Sequence, residues 1–194
     1  MKPPIHYIKD FMGDVDHSMT MIFNELMDLE WEKRGNTPRF EYYTNDFDVP
    51  YVYGRGRGIR EYLPKPKCAF ILLLGLCITD YTGHHLEVCF LNRYDDLKDH
   101  LGWHSDDSPE MDDKRPICIY SVGDAREIWF RPKGDKNPEN VYKLLMEPGS
   151  LVVMEPGMQI EWEHRIPKCD RKCGVRISLT YRGYISPEPE NEDA

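Results

Sequence analysis

One short polar run has the residue types and spacing to bind a metal ion. Trp103, His104, Ser105 and Asp106 are consecutive, and His164 follows sixty residues after His104. On an extended segment, residues i and i+2 project to the same side, so His104 and Asp106 can both face one ion. Two histidines and one carboxylate are the ligand set of non-haem Fe(II) oxygenases, whereas zinc takes four protein ligands or three and a water. His-X-Asp also occurs by chance, and it is then only a polar loop.

A second run has the side chains to bind a small dicarboxylate. The stretch RISLTYR at 176–182 alternates polar and apolar residues. On a strand, Arg176, Ser178, Thr180 and Arg182 share one face. Arginine binds carboxylates with two parallel hydrogen bonds, so the two guanidiniums can hold an anion between them. The same alternation also describes an edge strand with solvated charges, and that alternative stays open here.

The N-terminal residues indicate the cellular compartment, and the compartment predicts the chemical state of the cysteines. The N-terminal residues MKPPIHYIKD contain no apolar signal-peptide core, so we expect an intracellular protein, cytoplasmic or nuclear and not secreted. In such a compartment the six cysteines are reduced thiols rather than disulfides. Cys169 and Cys173 form a C-X3-C pair after His164 that could bind zinc, but no second pair lies nearby in the sequence. Plain thiols are therefore the preferred interpretation.

Composition excludes two classes of protein. With 194 residues, 40% of them hydrophobic, the chain can bury a core, so disorder throughout is excluded. No apolar run approaches the ~18 residues of a membrane span, and we expect no membrane partner. The net charge is -9, yet bases cluster at 55–67 and 165–182. Only the local field acts within a Debye length, so nucleic acid remains a possible partner.

Hydrophobic patterning predicts helices first and strands afterwards. Apolar residues at helical spacing follow Asp16, a candidate N-cap, and predict a helix that ends near Gly35. The segment 37–66 is rich in Tyr, Phe and Arg and is interpreted as a long loop with short strand pieces. The length of the apolar run 67–81 favours a helix. Strands are predicted at 87–94, 117–122, 127–131, 141–146, 150–154 and 175–184, which favours an all-β sandwich or barrel with a helical flank.

Together these blocks resemble the AlkB family of Fe(II)- and 2-oxoglutarate-dependent dioxygenases. The matching stretches are LNRYDDLKDHLGWHSDD at 91–107, PGSLVVMEPGMQIEWEHRIPK at 148–168 and RISLTYR at 176–182, in the family's order. A fainter match, TPRFEYYTNDFDVPYVYG at 37–54, resembles the family's substrate lid. The combination of the three main motifs is far more specific than any one of them.

The resemblance implies roles for eight residues around an iron centre. His104, Asp106 and His164 match the iron ligands. Arg176 matches the arginine that pairs with the distal carboxylate of 2-oxoglutarate, and Arg182 the one near the end that chelates iron. The remaining three positions complete the cosubstrate site: Asn92 and Tyr94 match a polar pair, and Ser178 stands where many relatives have Asn.

Three further residues are implied in substrate binding. Tyr53 falls where relatives stack an aromatic ring on an extruded base, and Arg39 belongs to the Pro-Arg of the lid. Asp107 follows the metal-ligand aspartate, but relatives often carry a base-sensing acid at the next position, which here is Ser108. The preferred base is therefore the property that transfers least well from the family.

The resemblance implies a mainly β fold, a double-stranded β-helix or jelly roll with a helical flank. We expect one domain at 1–186, with a nucleotide-recognition lid at 37–66, and a disordered acidic tail at 187–194. The cofactors would be Fe(II), 2-oxoglutarate and O2. The implied activity is oxidative demethylation of 1-methyladenine and 3-methylcytosine in DNA by a monomer, releasing formaldehyde, succinate and CO2. Alternatives are an oxygenase on this scaffold that acts on RNA, protein or lipid, and a binding module that has lost catalysis.

Overall fold

The computed structural model describes residues 1–13, 16–35, 37–53, 59–169 and 173–185. Within these ranges strands predominate, and a 3-10 turn at Pro138–Asn140 precedes β9. The helices are α1 (Asp16–Met27), α2 (Ala69–Thr82) and α3 (Met158–Glu161). The strands are β1 (Ile5–Ile8), β2 (Phe40–Asn45), β3 (Tyr51–Tyr53), β4 (Arg60–Tyr62), β5 (Val88–Tyr94), β6 (Leu101–His104), β7 (Ile117–Gly123), β8 (Arg126–Pro132), β9 (Tyr142–Met146), β10 (Leu151–Met154), β11 (Trp162–Ile166) and β12 (Arg176–Arg182).

Two antiparallel sheets form a jelly-roll core. The larger sheet has the order β1-β10-β7-β12-β5-β2, and the smaller has the order β6-β11-β8-β9. A separate hairpin joins β3 to β4. The mainly β fold with a helical flank that the sequence predicted is confirmed.

Alternation along the strands of the larger sheet separates an apolar face from a polar one. Ile177, Leu179 and Tyr181 of β12 join the cluster that packs against α1 and α2. Arg176 and Arg182 of the same strand line the cavity between the sheets instead. Because side chains alternate with a period of two, one strand contributes both to the core and to the candidate site.

Helix α2 lies close to its predicted span. Its C-terminus is capped by Gly83, whose φ of 74° places it in the left-handed region and whose N–H donates to the Thr79 carbonyl. Glycine is suited to this position because it has no Cβ to clash. The inner face of helix α2 packs into the core through residues that include Ile71 and Leu74. No helix among the described residues is long and apolar enough to cross a membrane.

Helix α1 ends earlier than the apolar pattern predicted. The helix stops at Met27, and the Trp31 indole donates to the Leu26 carbonyl. Glu32 then forms a β-bridge with Glu41. Backbone pairing with the sheet, a tertiary effect, therefore ends the helix before Gly35.

The prediction for 37–66 was partly wrong, because β2 is a full strand of the larger sheet rather than a short piece in a loop. It pairs with β5 along its whole length, from Phe40 opposite Arg93 to Asn45 opposite Val88. Three further strands, β1, β6 and β11, were not predicted. The predicted tail at 187–194 lies outside the described residues.

Candidate active site

The two candidate histidine ligands lie on paired strands. In the antiparallel pair of β6 and β11, His104 is directly opposite His164, and their ring centroids are 4.3 Å apart. Asp106 follows two residues after His104, and its carboxylate oxygens lie 3.8 Å from Nε2 of each histidine. The three ligand atoms lie within 4.8 Å of one another, and no other such group of His, Cys, Asp or Glu is found in the described ranges.

Local hydrogen bonds hold this face in position. Nδ1 of His104 lies 2.9 Å from the Gly102 carbonyl. A carbonyl only accepts, so Nδ1 carries the proton and Nε2 presents its lone pair towards Asp106. The backbone N–H of Asp106 donates to Oε1 of Gln159 over 3.0 Å, and the Ser105 hydroxyl donates to the Trp162 carbonyl. Gln159 is a positioning residue that the sequence did not single out.

Burial sets the protonation of the three groups. It lowers the pKa of His164 to about 3 and also lowers the pKa of His104. Burial acts to raise the pKa of Asp106, but Arg182 and the two imidazoles outweigh it and hold that pKa below its usual value. At neutral pH the site therefore presents two neutral imidazoles and one carboxylate, the states in which these groups bind metals.

A buried guanidinium at the other end of the cavity has no acidic partner among the described residues. Arg176 is fully buried, and its Nε donates to the Ser121 hydroxyl over 2.9 Å. Within the same described ranges, its Nη1 and the hydroxyl of Tyr94 are both buried without a hydrogen-bond partner. Burial lowers the pKa of Arg176 to about 10, so the group is still charged at neutral pH. Unsatisfied buried donors are rare, and two of them here fit a bound carboxylate.

The cavity connects this guanidinium with the His-Asp-His group. Arg182 lies beside the metal ligands, with Nη1 3.3 Å from Oδ1 of Asp106. The cavity together with its open mouth takes up about 580 Å³. Every site residue predicted from the sequence except Asp107 lines it: Arg39, Tyr53, Asn92, Tyr94, His104, Asp106, His164, Arg176, Ser178 and Arg182.

Asp107 lies apart from the other predicted substrate residues. It is exposed, and its carboxylate accepts a hydrogen bond from Nζ of Lys133 over 2.8 Å. Ser108, the next residue, instead bonds the hydroxyl of Tyr51 over 2.8 Å. The acid thus contacts a surface lysine, while its neighbour contacts the hairpin that covers the cavity.

The hairpin of β3 and β4 covers the cavity with aromatic rings. Tyr51 stacks on Tyr43 at 5.8 Å and on Tyr62 at 6.1 Å between ring centroids. Tyr51 and Tyr62 are buried, but Tyr53 is only half-buried and lines the cavity. Of these three tyrosines only Tyr53 was predicted from the sequence to bind substrate, because residue type alone does not distinguish a packing tyrosine from a substrate-binding one.

The basic clusters seen in the sequence are partly neutralised in the fold. In the segment 55–67, Arg60 lies 3.9 Å from Glu41, Lys65 lies 3.0 Å from Glu32, and Lys67 lies 2.5 Å from Asp46. The other two bases of that segment, at 55 and 57, lie outside the described residues. Of the bases at 165–182, Arg176 and Arg182 line the cavity. A zinc site at Cys169 and Cys173 would need at least one more ligand, and the described residues include no His, Cys, Asp or Glu that forms such a group with them.

Known proteins with similar sequences are iron- and 2-oxoglutarate-dependent oxygenases. A family model described as the 2OG-Fe(II) oxygenase superfamily matches residues 18–182. Alpha-ketoglutarate-dependent dioxygenase alkB homolog 3 of Rattus norvegicus is 32% identical over 149 residues, 73% of this chain and 49% of that protein. DNA oxidative demethylase ALKBH2 of Mus musculus is 33% identical over 124 residues, 61% of this chain and 52% of that protein. The chain thus spans about half the length of the curated relatives it matches.

The fold also matches a solved structure. The structure titled OsALKBH1 superposes with a TM-score of 0.70 at 14% identity, covering 95% of this chain and 98% of that one. The antiparallel jelly roll and the family match define an oxygenase scaffold, and the chain belongs to the AlkB family of the 2OG-Fe(II) oxygenase superfamily. Fe(II), 2-oxoglutarate and O2 are its cofactors, as the sequence predicted. The His-Asp-His group and the unsatisfied donors of Arg176 and Tyr94 fit the first two.

Proposed function

We propose that this protein demethylates N-alkylated bases in DNA by Fe(II)- and 2-oxoglutarate-dependent oxidation. The bases are of the 1-methyladenine and 3-methylcytosine type, and the products are formaldehyde, succinate, CO2 and the repaired base. The single observation that carries the proposal is the cavity itself. It places a His-Asp-His face and a buried guanidinium without an acidic partner under a lid of tyrosines.

In this proposal His104, Asp106 and His164 would hold Fe(II) through two imidazole nitrogens and one carboxylate oxygen. When bound, Fe(II) would allow O2 to oxidise 2-oxoglutarate to succinate and CO2 with one oxygen atom and to insert the other oxygen atom into a C–H bond of the N-methyl group. The hydroxymethyl group then leaves as formaldehyde. The protein supplies the ligands, the orientation of both substrates and a cavity from which water is excluded.

Five side chains form the proposed cosubstrate site. The Arg176 guanidinium and the Tyr94 hydroxyl donate to the distal carboxylate, since both have donors without partners. Arg182 places a positive charge beside Asp106, near the end of the cosubstrate that chelates the metal. Asn92 and Ser178 face each other across β5 and β12 and line the same cavity.

The substrate class is inferred from the lid and from the relatives. A methyl group on the Watson–Crick edge weakens base pairing, so such a base costs less to extrude from a helix. Half-buried Tyr53 offers a ring face on which an extruded base can stack. Arg39, buried under the lid, places a third cation in the cavity wall. The Mus musculus relative is named DNA oxidative demethylase ALKBH2, and this supports DNA as the substrate.

The test begins without oxygen. Fe(II) and 2-oxoglutarate are added to the purified protein, and the weak visible charge-transfer band of the chelate is recorded. Oxygen is then admitted with a DNA oligonucleotide that carries 1-methyladenine or 3-methylcytosine, and succinate, formaldehyde and repaired base are measured. We expect all three products from the wild type and none from Asp106→Ala. Demethylation by Asp106→Ala at the wild-type rate would exclude the proposed iron site.

Substrate alternatives are separated by the same assay. RNA that carries the same methylated bases tests the second candidate function, RNA demethylation. Positive charge in the lid segment attracts the phosphates of DNA and RNA alike, so charge alone does not distinguish the two substrates. Succinate formed without any repaired base would retain the oxygenase and direct the search to protein or lipid substrates. The absence of the band would reject the oxygenase chemistry itself.

Three further properties are part of the proposal. We propose a single domain over 1–186 in which 37–66 acts as the lid, and a monomer as the active form. Strand β2, which lies within this segment, attaches the lid to the larger sheet by pairing with β5. Intracellular localisation stays a prediction.

A further inference from the structure

Four side chains form a row across the outer face of the smaller sheet. Trp103 lies on β6, Arg165 on β11, Trp129 on β8 and Lys143 on β9, which is the spatial order of these strands. Arg165 is directly opposite Trp129, and Trp129 is directly opposite Lys143. Each residue precedes or follows one that faces the interior, so all four project outward. We call this set the cross-sheet row.

Cation–π contacts hold the charges of this row in place. The guanidinium carbon of Arg165 lies 4.8 Å from the ring centroid of Trp103 and 4.2 Å from that of Trp129. Nζ of Lys143 lies 4.2 Å from the Trp129 centroid. A cation that is stacked on an indole keeps its charge while losing much of its conformational freedom. The row therefore presents pre-positioned cations.

These cations have no acidic partners among the described residues. Arg131, which also stacks on Trp103, is paired with Glu163 at 2.6 Å, but Arg165 forms no ion pair in the described ranges. Nε of Arg165 is buried without a hydrogen-bond partner. Burial and the neighbouring Arg131 lower the pKa of Arg165, which means that an approaching anion would stabilise it.

A groove next to the row reaches the edge of the candidate active site. Its lining includes Arg165, Trp129, His100 and the exposed Lys168. The groove and the active-site cavity share Leu101 and Ile166 as walls. The pairing of β6 with β11 shifts register at this end of the sheet, between His164 and Ile166. A polymer with one residue in the cavity is thus brought next to the groove.

We propose that the cross-sheet row and Lys168 hold the phosphodiester backbone of a single nucleic-acid strand next to the base in the cavity. This inference rests on the proposed function, because it takes that base to belong to a nucleic acid. Arg165, Lys143 and Lys168 donate to successive phosphates. With strands about 4.8 Å apart, Arg165 and Lys143 lie roughly 10 Å from each other across the sheet. Glu127 is the acid of the groove and accepts from the Trp129 indole over 2.7 Å.

The test measures the salt dependence of binding. The probe is a fluorescent single-stranded DNA of about 12 nucleotides, a length within the range that single-strand grooves cover. Anisotropy titrations at several salt concentrations give the slope of log K against log salt. For single strands this slope is about -0.7 per phosphate contact. We expect the triple variant R165Q/K143Q/K168Q to be less steep than the wild type by about 2.

Two matched variants keep the result specific. Lys2 is an exposed cation before β1 of the other sheet, so Lys2→Gln should retain the wild-type slope and affinity. Glu127→Gln removes an acid that repels phosphates and should tighten DNA binding. This change is opposite to the one expected for the triple variant, so it cannot result from loss of folding. Wild-type slope and affinity in the triple variant, or weaker binding by Glu127→Gln, would overturn the proposal.

A substrate without phosphates separates this inference from the proposed function. A methylated nucleoside fills the cavity but offers no phosphate to the row, so the wild type and the triple variant should demethylate it at equal rates. If neither protein demethylates the nucleoside or any nucleic acid while the difference in salt slope is observed, the proposed function fails alone. If both demethylate the nucleoside and the slopes are equal, the role of the row fails alone.

Discussion

Arg39, the residue before strand β2, donates a hydrogen bond from Nε to Oδ1 of Asn92 on strand β5 over 2.6 Å. The same guanidinium donates from Nη2 to Oε1 of buried Glu41 over 2.6 Å. Oε2 of Glu41 accepts from the Tyr62 hydroxyl over 3.0 Å. The lid hairpin is therefore linked through one carboxylate and one guanidinium to a residue of the proposed cosubstrate site.

Removal of that carboxylate should destabilise the protein. Glu41→Ala leaves Arg39 buried without its acidic partner, and losing one member of a buried ion pair costs about 3 kcal/mol or more. The free energy of unfolding is measured by urea denaturation. Glu61→Ala is the matched control, because Glu61 is exposed on the lid strand β4. Equal unfolding midpoints for the wild type and Glu41→Ala would show that this link carries no stability.

Substitution of Arg176 should weaken 2-oxoglutarate binding. Arg176→Gln removes the charge and Nη1, a donor without a partner in the part of the chain that the structure describes, and a hydrogen bond to a charged group is worth about 1.5–3 kcal/mol. We expect KM for 2-oxoglutarate to rise about tenfold or more. Arg176→Lys should also raise it, since a lysine cannot form the two parallel bonds.

The readout for Arg176 is the rate of succinate formation over a range of 2-oxoglutarate concentrations. At saturating 2-oxoglutarate most of the wild-type rate should return. An unchanged KM in Arg176→Gln would place the distal carboxylate elsewhere in the cavity.

Tyr53 should contribute to substrate binding through its ring and not through its hydroxyl. A stacked base is worth about 1–3 kcal/mol, so Tyr53→Ala should raise KM for a methylated oligonucleotide about tenfold, and Tyr53→Phe should change it little. Val52→Ala is the matched control, because Val52 is an exposed residue of the same hairpin strand. If Tyr53→Ala and Val52→Ala have the same KM, Tyr53 is only a cover for the cavity.

An ion pair away from the cavity should make stability depend on acidity. Glu87 lies 2.8 Å from Nη1 of Arg115 and accepts the Tyr184 N–H over 2.8 Å. Burial acts to raise the pKa of Glu87, but these hydrogen bonds outweigh it and hold that pKa below its usual value. Because the folded-state pKa is depressed, the contribution to stability is present above the unfolded-state pKa, about 4.3. It is lost as the pH falls through the folded-state pKa.

Glu87→Gln should therefore flatten the acid limb of the stability profile. The free energy of unfolding is measured by urea denaturation from neutral to acidic pH. The wild type should be more stable than the variant at neutral pH, and the two should converge under acid conditions. A constant difference across the pH range would assign the effect to packing instead of charge.

Two cysteines should resist modification in the folded protein. Cys89 and Cys118 are buried, and burial raises the pKa of each thiol to about 12. The other four cysteines are partly exposed. Alkylation at mildly alkaline pH, followed by mass spectrometry, should label these four first and the two buried thiols only after denaturation. Rapid labelling of Cys89 in the native protein would contradict this account of the core.

The sequence by itself determined one strand of the site, helix α2 and the spacing of two metal-ligand candidates. Alternation with a period of two identified one face of β12, where Arg176 and Arg182 do line the cavity. The apolar run at 67–81 was long enough to identify α2. His104 and Asp106 are only two residues apart, so their proximity follows from local geometry.

Tertiary structure decided what depends on pairing between distant segments. His164 meets His104 because β11 pairs with β6, and neither strand was predicted. Asp107 and Ser108 are equally polar neighbours, yet only Ser108 contacts the lid, while Asp107 contacts a surface lysine. The cross-sheet row is likewise formed from four separate strands. Local propensity reports conformation within a few residues, whereas strand order and register depend on which distant surfaces are buried together.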